Sequence, residues 1–367
     1  MNVAYILDNF GRGGIGILLL DTCELARDNN LNLTIISLGK SGSLEKEFEN
    51  SKCKLIKINR KIPIDFKIIL LIRKIIKEEN INILHAHQPV EGIHAYLASL
   101  GTDTKTVLSF HGYIPSFKDD LVARFLIPRV SANIAVSFGF LERLKKEANF
   151  GKLKNFHVVY NGVNYQKIQD GKNKNILSKL APGDTLKLGM VGNFNSSGRD
   201  QMTVCKALHS LFKKFDNVHF FFIGARAENA PQYYDDTVNF CKNNNILNRT
   251  HFMGGRNDVY DLLKELDIFV YSSNHDSFGI AVVEAMLSEL PIVINDLPPL
   301  LEITKNGETA IVFKTGNPAD LVSKISPLIE NKGLRKGLAS RAKLHALNNF
   351  TIESHINQLK RLYKSLI

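Results

Sequence analysis

The first twenty residues, MNVAYILDNFGRGGIGILLL (1–20), contain a short apolar strand, a glycine-rich loop and the start of an apolar helix. The strand covers Val3–Leu7, the loop covers Gly11–Gly16, and helical spacing then continues to Arg27. A strand that enters a helix through a glycine loop is typical of a doubly wound α/β domain, in which buried parallel strands alternate with covering helices.

This alternation continues along the chain and then begins again. In the first half, apolar runs predict further strands at Leu33–Leu38, Lys54–Ile58, Ile83–His85, Thr106–Ser109, Asn133–Val136 and His157–Tyr160. The polar stretch Asn164–Asp184 is predicted to be a linker, and after it the strand Lys187–Val191 again leads into a glycine loop and a helix. The sequence therefore predicts two Rossmann-like domains, 1–165 and 166–348, and a C-terminal helix in 349–367 that returns to the first domain.

The composition narrows the class of protein. The 367 residues are 44% hydrophobic and 23% charged, which excludes disordered and collagen-like chains. Four separated cysteines form no C-x-x-C, so a disulfide framework and a zinc ribbon are excluded. Asp8 and Arg12 interrupt the early apolar stretch, and no apolar run approaches the ~20 residues that span a bilayer. We expect a soluble protein of the cytoplasm.

The net charge of +11 is concentrated in one segment. Between Lys52 and Lys77 there are nine basic residues and one acid, Asp65, so this segment carries +8 and the rest of the chain +3. Because aromatic residues do not alternate with these charges, we expect no nucleic acid partner. A helix over Phe66–Glu79 would align its cations along one arc, which fits an anionic membrane surface. The alternative is a helix that packs on the sheet and holds its lysines in water.

Two loops of the first half carry candidate functional residues. Gly11–Gly16 matches G-x-G-x-x-G, but no acid follows at the end of the second strand, which disfavours a nicotinamide site. A loop that brings backbone close to a ligand or to the other domain fits better, and a simple tight turn is the alternative. His85 and His87 end one strand and His111 the next, with no evident third metal ligand. We expect His111 to be a hydrogen-bond donor or polariser, with a core position as the alternative.

Two loops of the second half are stronger candidates. Gly192–Asp200 is small and polar, contains Arg199 and precedes a helix, which predicts an anion site without the ending of a Walker A loop. The alternative is a solvated surface loop. In Asn274–Ala285, Asp276 lies at a helix start and Glu284 about two turns into that apolar helix. A buried carboxylate needs hydrogen-bond donors, which sugar or ribose hydroxyls would supply.

Asp276-Ser-Phe-Gly-x4-Glu284-Ala285 resembles the carboxylate–seven–carboxylate motif of glycosyltransferase family 4, the retaining enzymes of GT-B architecture. Other segments resemble that family in the same order over nearly the whole chain: Gly13-Gly14, Ile83–His87, Phe110–Gly112, Val159–Val163, Val191-Gly192, Phe252–Gly254 and Glu302-Ile303. The resemblance implies an acceptor-binding N-terminal domain and a nucleotide-sugar-binding C-terminal domain that face a central cleft.

The resemblance also implies roles for single residues. Glu284 would bind ribose hydroxyls, Asp276 and the nearby amides would bind the donor sugar, and His111 would lie near the anomeric centre. Arg199 would stabilise the leaving diphosphate. The catalytic set implied is His111, Asp276 and Arg199, and the binding set is Gly13, Gly14, Gly192, Asn193, Met253, Gly254, Ser277, Phe278, Gly279 and Glu284.

Three positions depart from the family pattern. Asp276 is one methylene shorter than the usual Glu, Asn193 stands where Arg is common, and Pro298-Pro299 replaces Gly-Gly. No D-x-D triplet occurs, so we expect no essential metal and no cofactor besides the donor.

The expected function is transfer of a hexose from a nucleoside-diphosphate sugar, UDP by resemblance, to a hydroxyl of a glycan. The resemblance favours a lipid-linked acceptor of bacterial surface-polysaccharide assembly, and hence a peripheral position at the inner face of the cell membrane. Two alternatives stay open. One is an epimerase, hydrolase or phosphorylase of the same fold, and the other is a non-catalytic nucleotide-sugar-binding subunit.

Overall fold

The computed structural model describes residues 1–39, 41–112, 117–148, 154–195 and 198–367. The chain divides into two compact units, Met1–Val163 with Phe350–Ile367, and Asn164–Asn349. Each unit contains one sheet of parallel strands connected through helices. This confirms the predicted architecture of two Rossmann-like domains.

The first unit contains a seven-stranded sheet in the order β3-β2-β1-β4-β5-β6-β7. Its strands are β1 (Asn2–Leu7), β2 (Asn32–Ser37), β3 (Lys54–Lys57), β4 (Ile83–Ala86), β5 (Lys105–Phe110), β6 (Ala132–Ala135) and β7 (Phe156–Val158). Its helices are α1 (Gly14–Ala26), α2 (Glu45–Glu49), α3 (Phe66–Glu78), α4 (Pro89–Ser99), α5 (Phe117–Leu126), α6 (Phe138–Ala148) and, at the end of the chain, α16 (Ile352–Leu366).

The second unit contains a six-stranded sheet in the order β10-β9-β8-β11-β12-β13. Its strands are β8 (Leu186–Val191), β9 (Val218–Ile223), β10 (Thr250–Phe252), β11 (Ile268–Tyr271), β12 (Ile292–Asn295) and β13 (Ile311–Phe313). Its helices are α7 (Tyr165–Asp170), α8 (Ile176–Leu180), α9 (Gln201–Lys214), α10 (Gln232–Asn243), α11 (Val259–Leu263), α12 (Ile280–Leu287), α13 (Pro298–Ile303), α14 (Pro318–Glu330) and α15 (Lys332–Asn349).

The polar stretch Asn164–Asp184, predicted as a linker, forms α7 and α8 instead. Two acids near α11 fix it to the second unit. Glu265 accepts hydrogen bonds from three successive backbone amides at the start of α8, and Asp261 accepts one from the Lys172 amide. Glu265 satisfies amides that the start of α8 leaves without partners, and Asp261 holds the loop between α7 and α8. The stretch is therefore ordered by side chains almost ninety positions away in sequence.

The C-terminal helix α16 belongs to the core of the first unit. Its apolar residues lie in one buried cluster with β1, β2 and α1: Ile352, Ile356, Leu359, Leu362 and Tyr363. The backbone enters this unit through a pair of hydrogen bonds, in which Ile352 donates to Val163 and Val163 donates to Phe350. The helix is amphipathic, so burial of its apolar stripe explains why it packs on α1.

We predict that Leu359→Ala lowers the free energy of unfolding by about 2–5 kcal/mol, because it leaves a cavity beneath α16. Leu359 is 1% exposed. Leu344→Ala, on α15 of the second unit, is the matched control, since Leu344 is 63% exposed. Urea titration followed by circular dichroism measures both variants. Equal losses in the two would show that α16 does not contribute to the core.

Candidate functional site

Several candidate residues follow the strands at which strand order reverses in each sheet, whereas His111 follows β5 and Met253 and Gly254 follow β10. In the first unit the reversal lies between β1 and β4, and in the second it lies between β8 and β11. Loops leaving neighbouring strands in opposite directions open a crevice there, which is where doubly wound sheets bind ligands. The glycine loop and His87 follow β1 and β4, and Arg199 and Asp276 follow β8 and β11.

The glycine loop of the first unit is shaped by close approaches of its own chain. A Cβ atom on Gly16 would lie 2.1 Å from the carbonyl oxygen of Gly11, so only glycine fits there. Gly13 is the exposed N-cap of α1, and a Cβ on it would meet no atom within 4 Å. Gly14 begins the helix. Close packing therefore explains why residue 16 is a glycine. Gly13 and Gly14 are exposed, and their assignment as binding residues stays a prediction.

His111 and His87 are joined by a hydrogen bond at the carboxyl ends of β5 and β4. His87 Nδ1 and His111 Nε2 lie 2.9 Å apart, and the two rings are stacked with centroids 5.2 Å apart. Burial lowers the pKa of His111 to about 3 and takes the pKa of His87 well below its usual value. Both imidazoles are therefore neutral at physiological pH, so His111 can polarise or donate a hydrogen bond without adding charge.

His85 is part of the core rather than of the crevice. Its Nδ1 is 2.6 Å from the hydroxyl of Tyr363 on α16, and its Nε2 is 2.7 Å from the Ser109 hydroxyl. Its ring lies 4.3 Å from that of His87. His355, also on α16, pairs with the carbonyl of Tyr160, and burial lowers its pKa to about 4. The C-terminal helix α16 thus contacts His85 directly through Tyr363 and adds the buried His355 to this part of the core.

The sequence reasoning missed a charged cluster at the end of β1. Arg60 donates to the Asp8 carboxylate at 2.7 Å, and the buried Glu91 lies close to both on the first turn of α4. Burial raises the pKa of Glu91 to about 7. The signal in the sequence that could have identified Glu91 was its position, four residues after His87, which follows a strand end.

Asp276 in the second unit is surrounded by donors from its own chain. Its Oδ2 accepts hydrogen bonds from Arg199 Nη1 at 3.0 Å and from the Tyr271 hydroxyl at 2.7 Å. Its Oδ1 accepts from the amides of Ser277 and Phe278 at 2.8 and 3.2 Å. A carboxylate offers about four acceptor positions, so these four donors fill it. The structure therefore brings together Arg199, Asp276, Ser277 and Phe278, and adds Tyr271, which the sequence reasoning missed.

The loop after β8 packs closely around Arg199. A Cβ on Gly192 would lie 3.3 Å from Arg199 Cδ, and the guanidinium lies 5.2 Å from the centre of the Tyr271 ring. The Asn193 side chain accepts a hydrogen bond from the Ala225 amide at 2.8 Å, so it fixes the loop after β9. Ser196 and Ser197, whose amides belonged to the predicted anion site, lie outside the described residues.

The helix that contains Glu284 starts at a glycine in the left-handed region, where another residue would be strained. Gly279 has a φ of +97°, and a Cβ there would lie 2.7 Å from Leu300 Cδ2. Phe278 is a core side chain, and Ser277 is half-buried. Glu284 lies on the second turn of α12, where its Oε1 accepts a hydrogen bond from the Tyr260 hydroxyl at 3.2 Å. Tyr260 is a second contact that sequence reasoning did not identify.

Met253 and Gly254 lie just after β10. The Met253 amide donates to the Phe222 carbonyl, and the Gly254 carbonyl accepts from the Gly224 amide. Gly254 has a φ of +68°, a conformation that favours glycine. These backbone contacts hold the loop at the sheet end, and their approach to a base stays a prediction.

Most of the basic residues between Lys52 and Lys77 have partners. Ion pairs link five of them to carboxylates: Lys52 to Asp28, Lys54 to Glu79, Lys57 to Glu45 and Glu49, Arg60 to Asp8, and Lys74 to Glu78. Arg73 donates to the Leu100 carbonyl at 2.6 Å. Apolar side chains are exposed beside them, with Phe66 at 72% and Leu70 at 68%. This surface is therefore less cationic and more apolar than the sequence suggested.

Within the described residues, no helix is both long and apolar enough to cross a bilayer. Nor do these residues bring three or more histidine, cysteine, aspartate or glutamate side chains into an arrangement that could hold a metal ion.

Two family models together match most of the chain. Residues 12–167 match the model of Glycosyltransferase Family 4, and residues 172–345 match that of Glycosyl transferases group 1. These two ranges follow the two structural units closely.

Individual proteins of known structure or activity are also similar. An N-acetyl-alpha-D-glucosaminyl L-malate synthase of Bacillus anthracis is 21% identical over 97% of this chain and 94% of its own length. A UDP-Gal:alpha-D-GlcNAc-diphosphoundecaprenol alpha-1,3-galactosyltransferase of Escherichia coli is 22% identical over 83% and 80%. The structure of Anabaena HepE in complex with UDP and glucose superimposes with a TM-score of 0.84 over the full length of both chains, at 19% identity.

We predict that the first unit loses stability steeply below pH 6.5. His85, His87, His111 and His355 have pKa values lowered by burial, so below pH 6.5 the unfolded chain binds protons that the folded chain does not. Each then costs about 1.4 kcal/mol of unfolding free energy per pH unit until its folded pKa is reached. Urea titrations at pH 7.5, 6.5 and 5.5 measure the slope, which His355→Gln should reduce. A free energy that does not change with pH would contradict the buried, neutral state.

Proposed function

This chain belongs to glycosyltransferase family 4, and from that premise we propose that it is a retaining glycosyltransferase that moves a hexose from a UDP-sugar to an acceptor hydroxyl. Glycosyltransferase activity of GT-B type, with relatives in bacterial polysaccharide synthesis, is common to its family and neighbours. The donor nucleotide, the stereochemical course and the acceptor are the parts that we infer.

The observation that best supports the proposal is that the Arg199 side chain is fixed in position by its neighbours. Its guanidinium lies at the strand-order reversal of the second sheet, fixed by Asp276, Tyr271 and Ser273. During transfer, negative charge develops on the departing diphosphate, and a cation already in place stabilises that charge without reorganisation. Asn193 is neutral, so Arg199 is the charged residue we assign to this task.

We assign Asp276 mainly to orienting Arg199. Its four acceptor positions are filled from within the unit, so a sugar hydroxyl could bind only by displacing one of those donors. The family's usual Glu would reach one methylene further. In this chain the shorter carboxylate acts through Arg199, and Tyr271 is a further positioning residue.

Chemistry at the anomeric carbon follows from the family resemblance. The bond from that carbon to the diphosphate oxygen breaks, and a bond to the acceptor oxygen forms on the same face. The acceptor proton passes to the departing phosphate. Positive charge develops on the sugar during this step, and a neutral His111 near the anomeric carbon can hydrogen-bond to the sugar without repelling it. No resident metal or cofactor is included in this proposal.

We assign the acceptor to the first unit. The Asp8–Arg60 pair and the glycine loop lie at its strand-order reversal, where they can orient hydroxyls. The Escherichia coli relative acts, by its name, on a sugar attached to diphosphoundecaprenol. We therefore propose a lipid-linked glycan as acceptor and a peripheral position on the membrane.

One experiment tests the reaction class. Purified protein is incubated with UDP-galactose in the presence and in the absence of the acceptor, GlcNAc-diphosphoundecaprenol. Each reaction is run with and without EDTA. Transfer that retains the anomeric configuration, seen by NMR, supports the proposal. Free galactose without acceptor indicates a hydrolase, a changed nucleotide sugar indicates an epimerase, and binding without turnover indicates a non-catalytic subunit. Loss of transfer in EDTA would contradict the metal-free mechanism.

We predict that Glu284→Gln weakens UDP binding by about 1–3 kcal/mol, because the charged acceptor for ribose hydroxyls is lost while the shape is kept. Isothermal titration calorimetry measures the change. Glu330→Gln is the matched control, since Glu330 pairs only with Lys214 at the surface among the described residues. Unchanged UDP affinity in Glu284→Gln would remove Glu284 from the nucleotide site.

The membrane contact that we propose combines charge with apolar surface. Phe66 and Leu70 on α3 and Phe117, Leu121 and Phe125 on α5 are exposed by 41–76%. Both helices pack against α4 in the first unit. Lys61, Lys67 and Lys77 lie on or next to α3, and their ammonium groups form no ion pair among the described residues. An apolar ridge with a cationic border is typical of segments that lie in the interface of anionic bilayers.

We predict that Leu70→Ser weakens binding to phosphatidylcholine vesicles containing phosphatidylglycerol by roughly tenfold, because one large side chain no longer leaves water. Leu344→Ser is the control, with a similarly exposed leucine on the second unit. Co-sedimentation at low and moderate salt measures both. Equal binding by the two variants, or no binding by the unmodified protein, would contradict the proposed surface.

A further inference from the structure

The side chain of Asn295, the last residue of β12, hydrogen bonds to backbone beyond the end of the neighbouring strand. β11 and β12 pair in parallel up to Tyr271 and Ile294, and the chain after Tyr271 enters the loop of the candidate site. The Ser273 amide donates to Asn295 Oδ1 at 3.0 Å, and Asn295 Nδ2 donates to the Ser273 carbonyl at 2.7 Å. One side chain thus supplies both the donor and the acceptor that a strand backbone would supply.

The orientation of the Asn295 amide follows from its partners. A backbone N–H can only donate and a carbonyl can only accept, so Ser273 identifies Oδ1 and Nδ2 without ambiguity. The second proton of Nδ2 goes to the Thr315 hydroxyl at 2.7 Å, and that hydroxyl donates to the Asp296 carboxylate at 2.6 Å. Asn295 is buried, and its side-chain nitrogen and oxygen both have partners. Only asparagine and glutamine carry such an amide, and glutamine is one methylene longer.

Ser273 connects this amide to Arg199. The Ser273 hydroxyl lies 3.3 Å from Arg199 Nη1 and 2.7 Å from the carbonyl oxygen of Gly198. The amide of Asn274 donates to the same carbonyl at 2.8 Å. The Ser273 backbone is therefore held by Asn295, and its side chain holds the loop that contains Arg199.

We propose that Asn295 is a positioning residue for Arg199. Asp276 lies on the same loop as Ser273 and moves with that loop, whereas Asn295 lies on a separate strand and ties the loop to the sheet. The guanidinium is thereby held at a fixed place relative to the strand ends. This assignment rests on the proposed function for the task of Arg199 at the diphosphate, and it adds a residue that sequence reasoning did not identify.

Two positions can be altered to test the assignment. Asn295→Leu nearly keeps the size of the side chain but removes its amide, which leaves the Ser273 amide and carbonyl without these partners. Thr315→Val removes only the hydroxyl that accepts from Asn295, so it is a milder variant that serves if Asn295→Leu does not fold. Thr315→Ser keeps the hydroxyl and should behave as the unmodified protein does.

We expect UDP affinity to fall about tenfold in Asn295→Leu and about threefold in Thr315→Val, because a displaced guanidinium loses charge-assisted hydrogen bonds to the diphosphate. Uridine has no phosphate, so it should bind all variants equally well. Thr250→Val is the control for lost stability. Thr250 is a buried hydroxyl at the start of β10, at the opposite end of the sheet, and donates to the Ile246 carbonyl. This variant should leave UDP affinity unchanged.

A double-mutant cycle separates positioning from a general loss of stability. If Asn295 acts through Arg199, then Asn295→Leu lowers UDP affinity by no more than about twofold in an Arg199→Ala background. Calorimetry with UDP and with uridine measures these affinities. Equal losses with and without Arg199, or equal losses for UDP and uridine, would overturn the proposal.

Amide hydrogen exchange of residues 198–200 and 272–276 measures the loop without any ligand. Faster exchange in Asn295→Leu but not in Thr250→Val is the expected result. Unchanged exchange in Asn295→Leu would overturn the proposal. If the unmodified protein binds no UDP and transfers no sugar, the proposed function fails, while the exchange result still decides whether Asn295 holds the loop.

Discussion

Parallel hydrogen bonding between β1 and β4, and again between β8 and β11, is the constraint on which both candidate sites depend. Parallel strands end at the same edge, and at these two pairs the following loops diverge because strand order reverses. Residues as distant as Asp8 and His87, or Arg199 and Asp276, are therefore close in space before any of their side chains interact. The site chemistry uses this placement and does not create it.

The Arg199–Asp276 pair shows how side-chain chemistry then refines that placement. A half-buried guanidinium loses part of its hydration, and one carboxylate acceptor with an aromatic face compensates for the loss. Asp276 is itself held by the Tyr271 hydroxyl and by two backbone amides, so the carboxylate cannot move together with the arginine side chain. Asp276 thus holds the Arg199 cation in one place, but its own acceptor positions are then filled. The two residues therefore act as one unit.

The sequence was informative where a local pattern determines structure, and less so where partners are distant. The apolar runs predicted strands such as Val3–Leu7, and the loops that follow them, since burial on both faces leaves a continuous apolar signal. The stretch 164–184 was misjudged because Asp261 and Glu265, which order it, lie far along the chain. The basic segment appeared more cationic than it is for the same reason, since Asp28 and Glu45 lie outside it.

The histidines connect the stability of the first unit to its chemistry. In the proposed mechanism, an imidazole near a carbon that becomes positive must be kept from protonation. Burial keeps His111 neutral, but it lowers the stability of the fold in acid. Helix α16 supplies that burial through Tyr363, which bonds to His85, and His355, which bonds to the Tyr160 carbonyl. The last residues of the chain thus contribute more than core packing to the first unit. Without them, water would reach the buried histidines and their pKa values would rise.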